Sequence, residues 1–77
     1  MTEDELAETS EVRLLLESGE FRRIREGLNT GLGEFAEAAG MTKGSLSRYE
    51  RGLRRPRPGE AKRLARTLRR LLGATGE

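Results

Sequence analysis

The chain contains no cysteine, no histidine and no tryptophan. Without thiols or imidazoles, thiol chemistry and the usual structural-zinc ligand sets are excluded, and so is the side chain that most often moves protons near neutral pH. There are only two prolines and no alternating β-branched run, which leaves little room for strands. No stretch of about 18 apolar residues occurs, and the N-terminus is acidic where a signal peptide would be basic. These features predict a soluble cytoplasmic protein. Only 34% of the 77 residues are apolar and three are aromatic. A chain of this size buries roughly 60% of its surface on folding, so its core is small and a single all-α domain spanning residues 1–77 is expected.

What the sequence does have is charge, at 36% of residues. The net charge of +2 conceals its arrangement. Residues 1–20 carry seven acids against Arg13, a net −6, whereas residues 41–77 carry eleven bases against Glu50, Glu60 and Glu77, a net +8. A polyanion is drawn to one end only.

Hydrophobic period divides the chain into about five short helices. Thr2-Glu-Asp-Glu5 has the spacing of a capping box. Val12, Leu15 and Leu16 share a face, while Thr9 and Ser10 weaken the segment before them; the expectation is a helix over Ser10–Glu17, with the acidic residues 1–9 frayed. Leu14 falls off the apolar face. Ser18-Gly19 separates this from a helix over Glu20–Glu26 with Phe21, Ile24 and Leu28 inward. Asn29 and Thr30 are suited to cap the next helix, Leu32–Ala39, where Leu32, Phe35, Ala36 and Ala39 form one stripe. Gly40 closes it, Met41 turns inward, and Thr42 caps a helix that starts at Lys43 and buries Leu46 and Tyr49. The turn between the two is only about three residues long, so the helices cross steeply and Ala36, Ala39 and Gly40 are the small residues the crossing needs. Gly52 ends the second helix and Leu53 is expected to tuck back under it. Pro58 fits the first position of a last helix. Its apolar face is Ala61, Leu64, Ala65, Leu68, Leu71 and Leu72; its other face carries Lys62, Arg63, Arg66, Arg69 and Arg70. Gly73 is expected to stop it, leaving residues 74–77 as a disordered tail.

The spacing of Ala36, Gly40, Leu46 and Tyr49 resembles the helix-turn-helix of the Cro/repressor-like (XRE) family. Ser45-Leu-Ser-Arg-Tyr-Glu-Arg-Gly-Leu-Arg-Arg-Pro56 is similar to that family's recognition helix and exit loop. The resemblance spans about residues 21–72, with the helix-turn-helix over 31–51, and implies a compact lambda-repressor-like DNA-binding domain. In that family the second helix of the pair lies in the major groove. Carried over, this implies that Lys43, Gly44, Ser47 and Arg48 face base edges. Thr30, Gly31, Thr42, Ser45, Arg51, Arg54, Arg55 and Arg57 then face the sugar-phosphate backbone. The glutamine usual near the start of the first helix of the pair is Leu32 here, which removes one familiar contact, although free N–H groups at that helix start can serve a phosphate.

Competing chemistry is weak. Gly40-Met-Thr-Lys-Gly-Ser45 has the composition of a phosphate-binding loop but the wrong order and no preceding strand. Lys43 and Ser47 are four apart on a helix, yet no third group orients them as base and nucleophile. The expectation is a non-enzymatic regulator of bacterial or phage type, most simply a repressor. It binds double-stranded DNA sequence-specifically, without cofactor, metal, small-molecule ligand or membrane, pairs as a homodimer on DNA, and is nucleoid-associated when bound. The alternative is an interaction module, an antitoxin or adaptor, whose acidic N-terminal segment holds a partner and whose DNA affinity is secondary and non-specific.

Overall fold

In the computed structural model residues 3–75 are described, side chains included except at 4, 5, 74 and 75, and they form five helices without strands. The helices are α1 (Glu3–Ser18), α2 (Glu20–Gly27), α3 (Leu32–Ala38), α4 (Lys43–Glu50) and α5 (Pro58–Thr75). The two long helices, α1 and α5, pack against each other, and the short pair α3 and α4 pack as a unit beside them.

Three helices end in the same way. In α2, α3 and α4 the residue two past the last helical one is Asn29, Gly40 or Gly52, with φ of 57°, 73° and 73°. The following N–H then reaches back five residues: Thr30 N–H to Arg25 O at 3.2 Å, Met41 N–H to Ala36 O at 2.9 Å and Leu53 N–H to Arg48 O at 2.9 Å. This is the Schellman arrangement, which satisfies helix-end carbonyls that otherwise have no partner. Asn29 therefore closes α2 and does not cap α3, whose N-cap is Gly31. Asparagine tolerates the left-handed region better than other side-chain-bearing residues, so it does here what glycine does in the other two turns.

The core consists of one cluster. Val12 and Leu16 from α1, Phe21 from α2, Phe35, Ala36 and Ala39 from around α3, Leu46 and Tyr49 from α4, and Ala61, Leu64, Ala65 and Leu68 from α5 are all buried. Phe21 meets Phe35 edge to face, with ring centroids 5.2 Å apart at 78°, the geometry that sets a positive ring edge against a negative face. Ala36 and Ala39 are the small residues of the α3–α4 crossing. Gly40 is exposed with open space where a Cβ would stand, so its φ, and not close approach, is what demands glycine.

Four expectations are corrected. Helix α1 begins at Glu3, not Ser10, because Glu8 and Thr9 extend the Val12–Leu16 stripe and are themselves buried; Glu8 lies 3.8 Å from Arg69 of α5. Packing of a whole face outweighs the modest local preference of Thr9 and Ser10 for other conformations. Thr2, and with it the capping box, lies outside the described residues. At the other end α5 runs through Gly73 to Thr75, so residues 74 and 75 are helical, while 76 and 77 lie outside the described residues. Leu53 is 66% exposed and does not tuck under α4; Pro56 is the residue of that loop that goes inside. Leu72 is 44% exposed, leaving Leu71 to pack against the core.

Inside this apolar frame sits one ion pair. Arg25 Nε is 2.7 Å from Glu50 Oε2 and Nη2 is 2.9 Å from Oε1, while Nη1 donates to the Thr30 carbonyl at 2.9 Å. The two side chains are only 8% and 5% exposed. Hydrogen bonding to Glu50 raises the Arg25 guanidinium further above its ordinary range, against the opposing effect of burial. The pair joins α2, the loop before α3 and the last residue of α4, and so fixes α4 relative to the first helix of the 21–72 region. A buried pair stabilises little relative to a well-packed apolar pair, but breaking it strands a charge. Arg25→Met or Glu50→Leu alone should therefore cost about 3–5 kcal/mol, a large part of the ~4–11 kcal/mol a domain of this length has. The double substitution should recover most of that loss in urea unfolding. Additive losses in the double variant would show that the side chains act independently.

Candidate nucleic-acid interface

Helix α4 starts on its own cap. Thr42 has extended backbone (φ −83°, ψ 152°) and its hydroxyl accepts the Ser45 N–H at 3.1 Å; the Thr42 hydroxyl also bonds Ser45 Oγ at 3.0 Å. Both residues named as backbone contacts are thus first of all the fastening of the helix start. From there the 3.6-residue period sorts the helix. Leu46 and Tyr49 go into the core and Glu50 onto Arg25, which leaves Gly44, Ser47, Arg48 and Arg51 on the opposite side. Gly44, Arg48 and Arg51 are exposed and Ser47 is half-buried. Lys43 stands at the edge of this surface: its side chain passes over Gly33 of α3, with Cδ 3.7 Å from where a Cβ on that glycine would lie. Of the four residues expected to meet base edges, Gly44, Ser47 and Arg48 therefore share the outer side of one helix and Lys43 stands at its edge.

The remaining candidates lie on two loops flanking that surface. Thr30 and Gly31 precede α3. The Thr30 carbonyl is taken by Arg25 and its hydroxyl donates to Leu28 O at 3.3 Å. The Gly31 N–H points to Glu34 Oε1 at 3.4 Å, half of a capping box, so part of the α3 N-terminus is already occupied by an acid of its own helix. On the other side, the exit loop 51–57 presents Arg51, Arg54, Arg55 and Arg57, all exposed, with only Pro56 buried. Four guanidinium groups within seven residues on an exposed loop make a strongly positive rim beside α4.

That loop is tied at its far end by Glu60. The Tyr49 hydroxyl donates to Glu60 Oε2, and Glu60 Oε1 accepts the Arg57 N–H at 3.1 Å. A glutamate at the third position of α5 thus reaches back to the helix cap while gripping the end of α4. The hydrogen bond from Tyr49 lowers the Glu60 pKa most, opposed by burial and helped by the Arg57 N–H and the charges of Arg54 and Arg63. Burial raises the tyrosine hydroxyl, as does its bond to Glu60.

Sequence reasoning missed Arg25, Glu50, Glu60 and Arg13, whose side chain donates to the Pro56 carbonyl at 3.1 Å. A signal existed for the first two. Arg25 falls at i+4 from Phe21 and Glu50 at i+4 from Leu46, so each is a charge on an apolar stripe, the position where an unpaired ion is too costly to keep.

Because the folded-state pKa of Glu60 is depressed, its stabilising contribution is present above the ordinary glutamate value of 4.5 and disappears as pH falls through the folded value. Wild type should therefore melt above Glu60→Gln at pH 7, and the gap should close as pH falls below 4.5 through the lowered folded value. The raised Tyr49 works at the other extreme: its contribution is complete below tyrosine's ordinary 10.0 and is lost as pH rises through the folded value. Thermal midpoints measured from pH 3 to 11 check both limits; a gap independent of pH in acid contradicts the role given to the Glu60 carboxylate.

No curated protein and no solved structure matches the chain. A family model described as helix-turn-helix, of the Cro/C1 type, matches residues 21–72. The match begins at the core residue Phe21 and takes in α2, α3, α4, the exit loop and most of α5, leaving α1 outside. The all-helical fold is consistent with a lambda-repressor-like domain. More than half of the chain is covered, and the chain belongs to the Cro/C1-type helix-turn-helix (XRE) family of DNA-binding regulators.

Proposed function

We propose that this protein is a sequence-specific regulator that acts by occupying a duplex DNA site, as a bacterial or phage repressor does. The observation that carries the reading is the division of α4, whose buried side is locked by Leu46, Tyr49 and the Arg25–Glu50 pair while Gly44 and Arg48 stand exposed on its outer side. A helix held that firmly presents its outer side as a rigid probe of suitable width for the major groove. Lys43, Gly44, Ser47 and Arg48 are the residues that read base edges. Thr30, Gly31, Thr42, Ser45, Arg51, Arg54, Arg55 and Arg57 hold the backbone. No enzymatic chemistry belongs to this reading. Nor do a cofactor, a metal or a small ligand. Among the described residues no helix is long and apolar enough to cross a membrane.

One helix of this kind reads only about four or five base pairs, so selectivity calls for two copies with half-sites about one helical turn apart. Exposed leucines offer two surfaces for such pairing: Leu14 on α1, 65% exposed, and Leu72 on α5, 44% exposed. Sedimentation of the protein on its selected site should give two protomers per duplex. A one-to-one complex on a non-repeated site removes the dimer.

Reading and holding are separated by two arginines. Arg48→Ala should cost about 1–3 kcal/mol on the best site and relax preference at one base pair, because a guanidinium can bridge guanine O6 and N7. Arg55→Ala should weaken binding to all sequences about equally and lessen the salt slope by roughly one unit from a wild-type magnitude above about 3. Both follow from affinity measured against salt on selected and random duplexes. Parallel losses on both duplexes would make Arg48 another phosphate contact and refute the assignment of α4 as the reading helix.

A further inference from the structure

Helix α1 lies outside the family match, yet it touches the exit loop at two successive residues. Arg13 Nη2 donates to the Pro56 carbonyl at 3.1 Å, across 43 positions of sequence. One turn later on α1, Glu17 Oε1 stands 3.5 Å from Arg55 Nη2. Packing alone does not hold the loop here. Leu53 is turned out to solvent, and beneath the loop is a hollow of about 240 Å³ lined by Arg13, Leu16, Tyr49, Gly52 and Pro56. Pro56 is buried, and its carbonyl is the point by which α1 takes hold of the segment.

We propose that α1 sets the DNA affinity of the exit loop through these two residues acting in opposite directions, Arg13 as a positioning residue that supports binding and Glu17 as an intramolecular competitor that opposes it. The inference rests on the exit-loop arginines being backbone contacts. Arg13 fixes the loop before DNA arrives, so that less ordering remains to be done on binding. Glu17 offers Arg55 a carboxylate where the duplex offers a phosphate, and the guanidinium cannot serve both. The pair is exposed, its side chains 79% and 55% accessible, which makes it weak enough to exchange and sensitive to salt. In physical terms the acidic first helix is a built-in stand-in for the DNA backbone at one position.

Opposite signs make the inference testable. In low salt, Glu17→Gln should tighten binding to any duplex by roughly two- to fivefold, the range for an exposed ion pair. Glu11→Gln, which removes an exposed acid of the same helix about one and two-thirds turns away, controls for net charge and should tighten binding distinctly less. In an Arg55→Ala background the extra gain from Glu17→Gln should vanish, as coupling between the two residues requires. Arg13→Met should weaken binding about fivefold or more through the loss of a charge-assisted hydrogen bond, and Arg13→Lys, which keeps a cationic donor for the Pro56 carbonyl, should restore much of it. Circular dichroism melts identify variants that fail to fold; the Glu17 arm and Arg13→Lys remain decisive if Arg13→Met is one of them. Equal gains from Glu17→Gln and Glu11→Gln, or a gain that survives in Arg55→Ala, overturns the competitor role. Arg13→Met binding as wild type overturns the positioning role. If instead the wild-type chain shows no affinity for duplex DNA, the DNA-binding reading fails and the roles given to Arg13 and Glu17 are overturned with it, a result distinct from DNA binding that is intact but unmoved by these variants.

Discussion

The bidentate contact between Arg25 and Glu50 is the interaction on which the arrangement of this small domain depends. An unaccompanied charge in either position would be expensive, so each residue is tolerable only while the other is in place. That mutual requirement ties the first helix of the family region to the last turn of α4. The third guanidinium contact, to Thr30 O, brings in the loop ahead of α3. One side chain thereby sets the spacing of three segments, two of which carry the residues proposed to face DNA. Apolar packing supplies the larger share of stability, as it does in most domains. It does not by itself specify how far α4 is rotated about its axis; a directional pair at the helix end does.

A second tier of polar contacts fixes the exit loop. Glu60 links the Tyr49 hydroxyl to the start of α5, and Arg13 of α1 holds the Pro56 carbonyl. Both contacts fix the position of the loop that carries Arg51, Arg54, Arg55 and Arg57. The division of labour is therefore spatial: acids and arginines that face inward position the loop, while arginines facing out give it its charge.

Much of the fold was legible because it depends on local rules. The apolar period of α5 and the stripe from Leu32 to Ala39 needed no partner to be recognised, and Gly40 and Gly52 marked two helix ends through a conformation other residues resist. The resemblance carried by the spacing of Ala36, Gly40, Leu46 and Tyr49 rests on the same local pattern. What could not be read depended on distant residues. Helix α1 reaches Glu3 with Glu8 and Thr9 buried and Arg69 of α5 beside Glu8, and α5 runs through Gly73 to Thr75. Asparagine suits a helix start as well as a left-handed helix end, and it is the end of α2 that Asn29 closes. Leu53 looked like a core residue by type, but Pro56 occupies the inward position of that loop. The candidate contacts on α4 were named from the resemblance, and their common side follows from helical period; the residues that hold that side in place were found only by seeing which charges are buried.

The central claim is that the outer side of α4, with the exit loop beside it, is the surface that meets DNA. The basic side of α5, with Arg63, Arg66 and Arg70 exposed, is the obvious rival on charge alone. Backbone amide shifts followed during titration with a selected duplex distinguish the two. The account predicts the largest changes at residues 42–48 and 51–57, with the amides around Arg63, Arg66 and Arg70 little moved. Changes centred on α5, with Gly44, Ser47 and Arg48 unaffected, would contradict it.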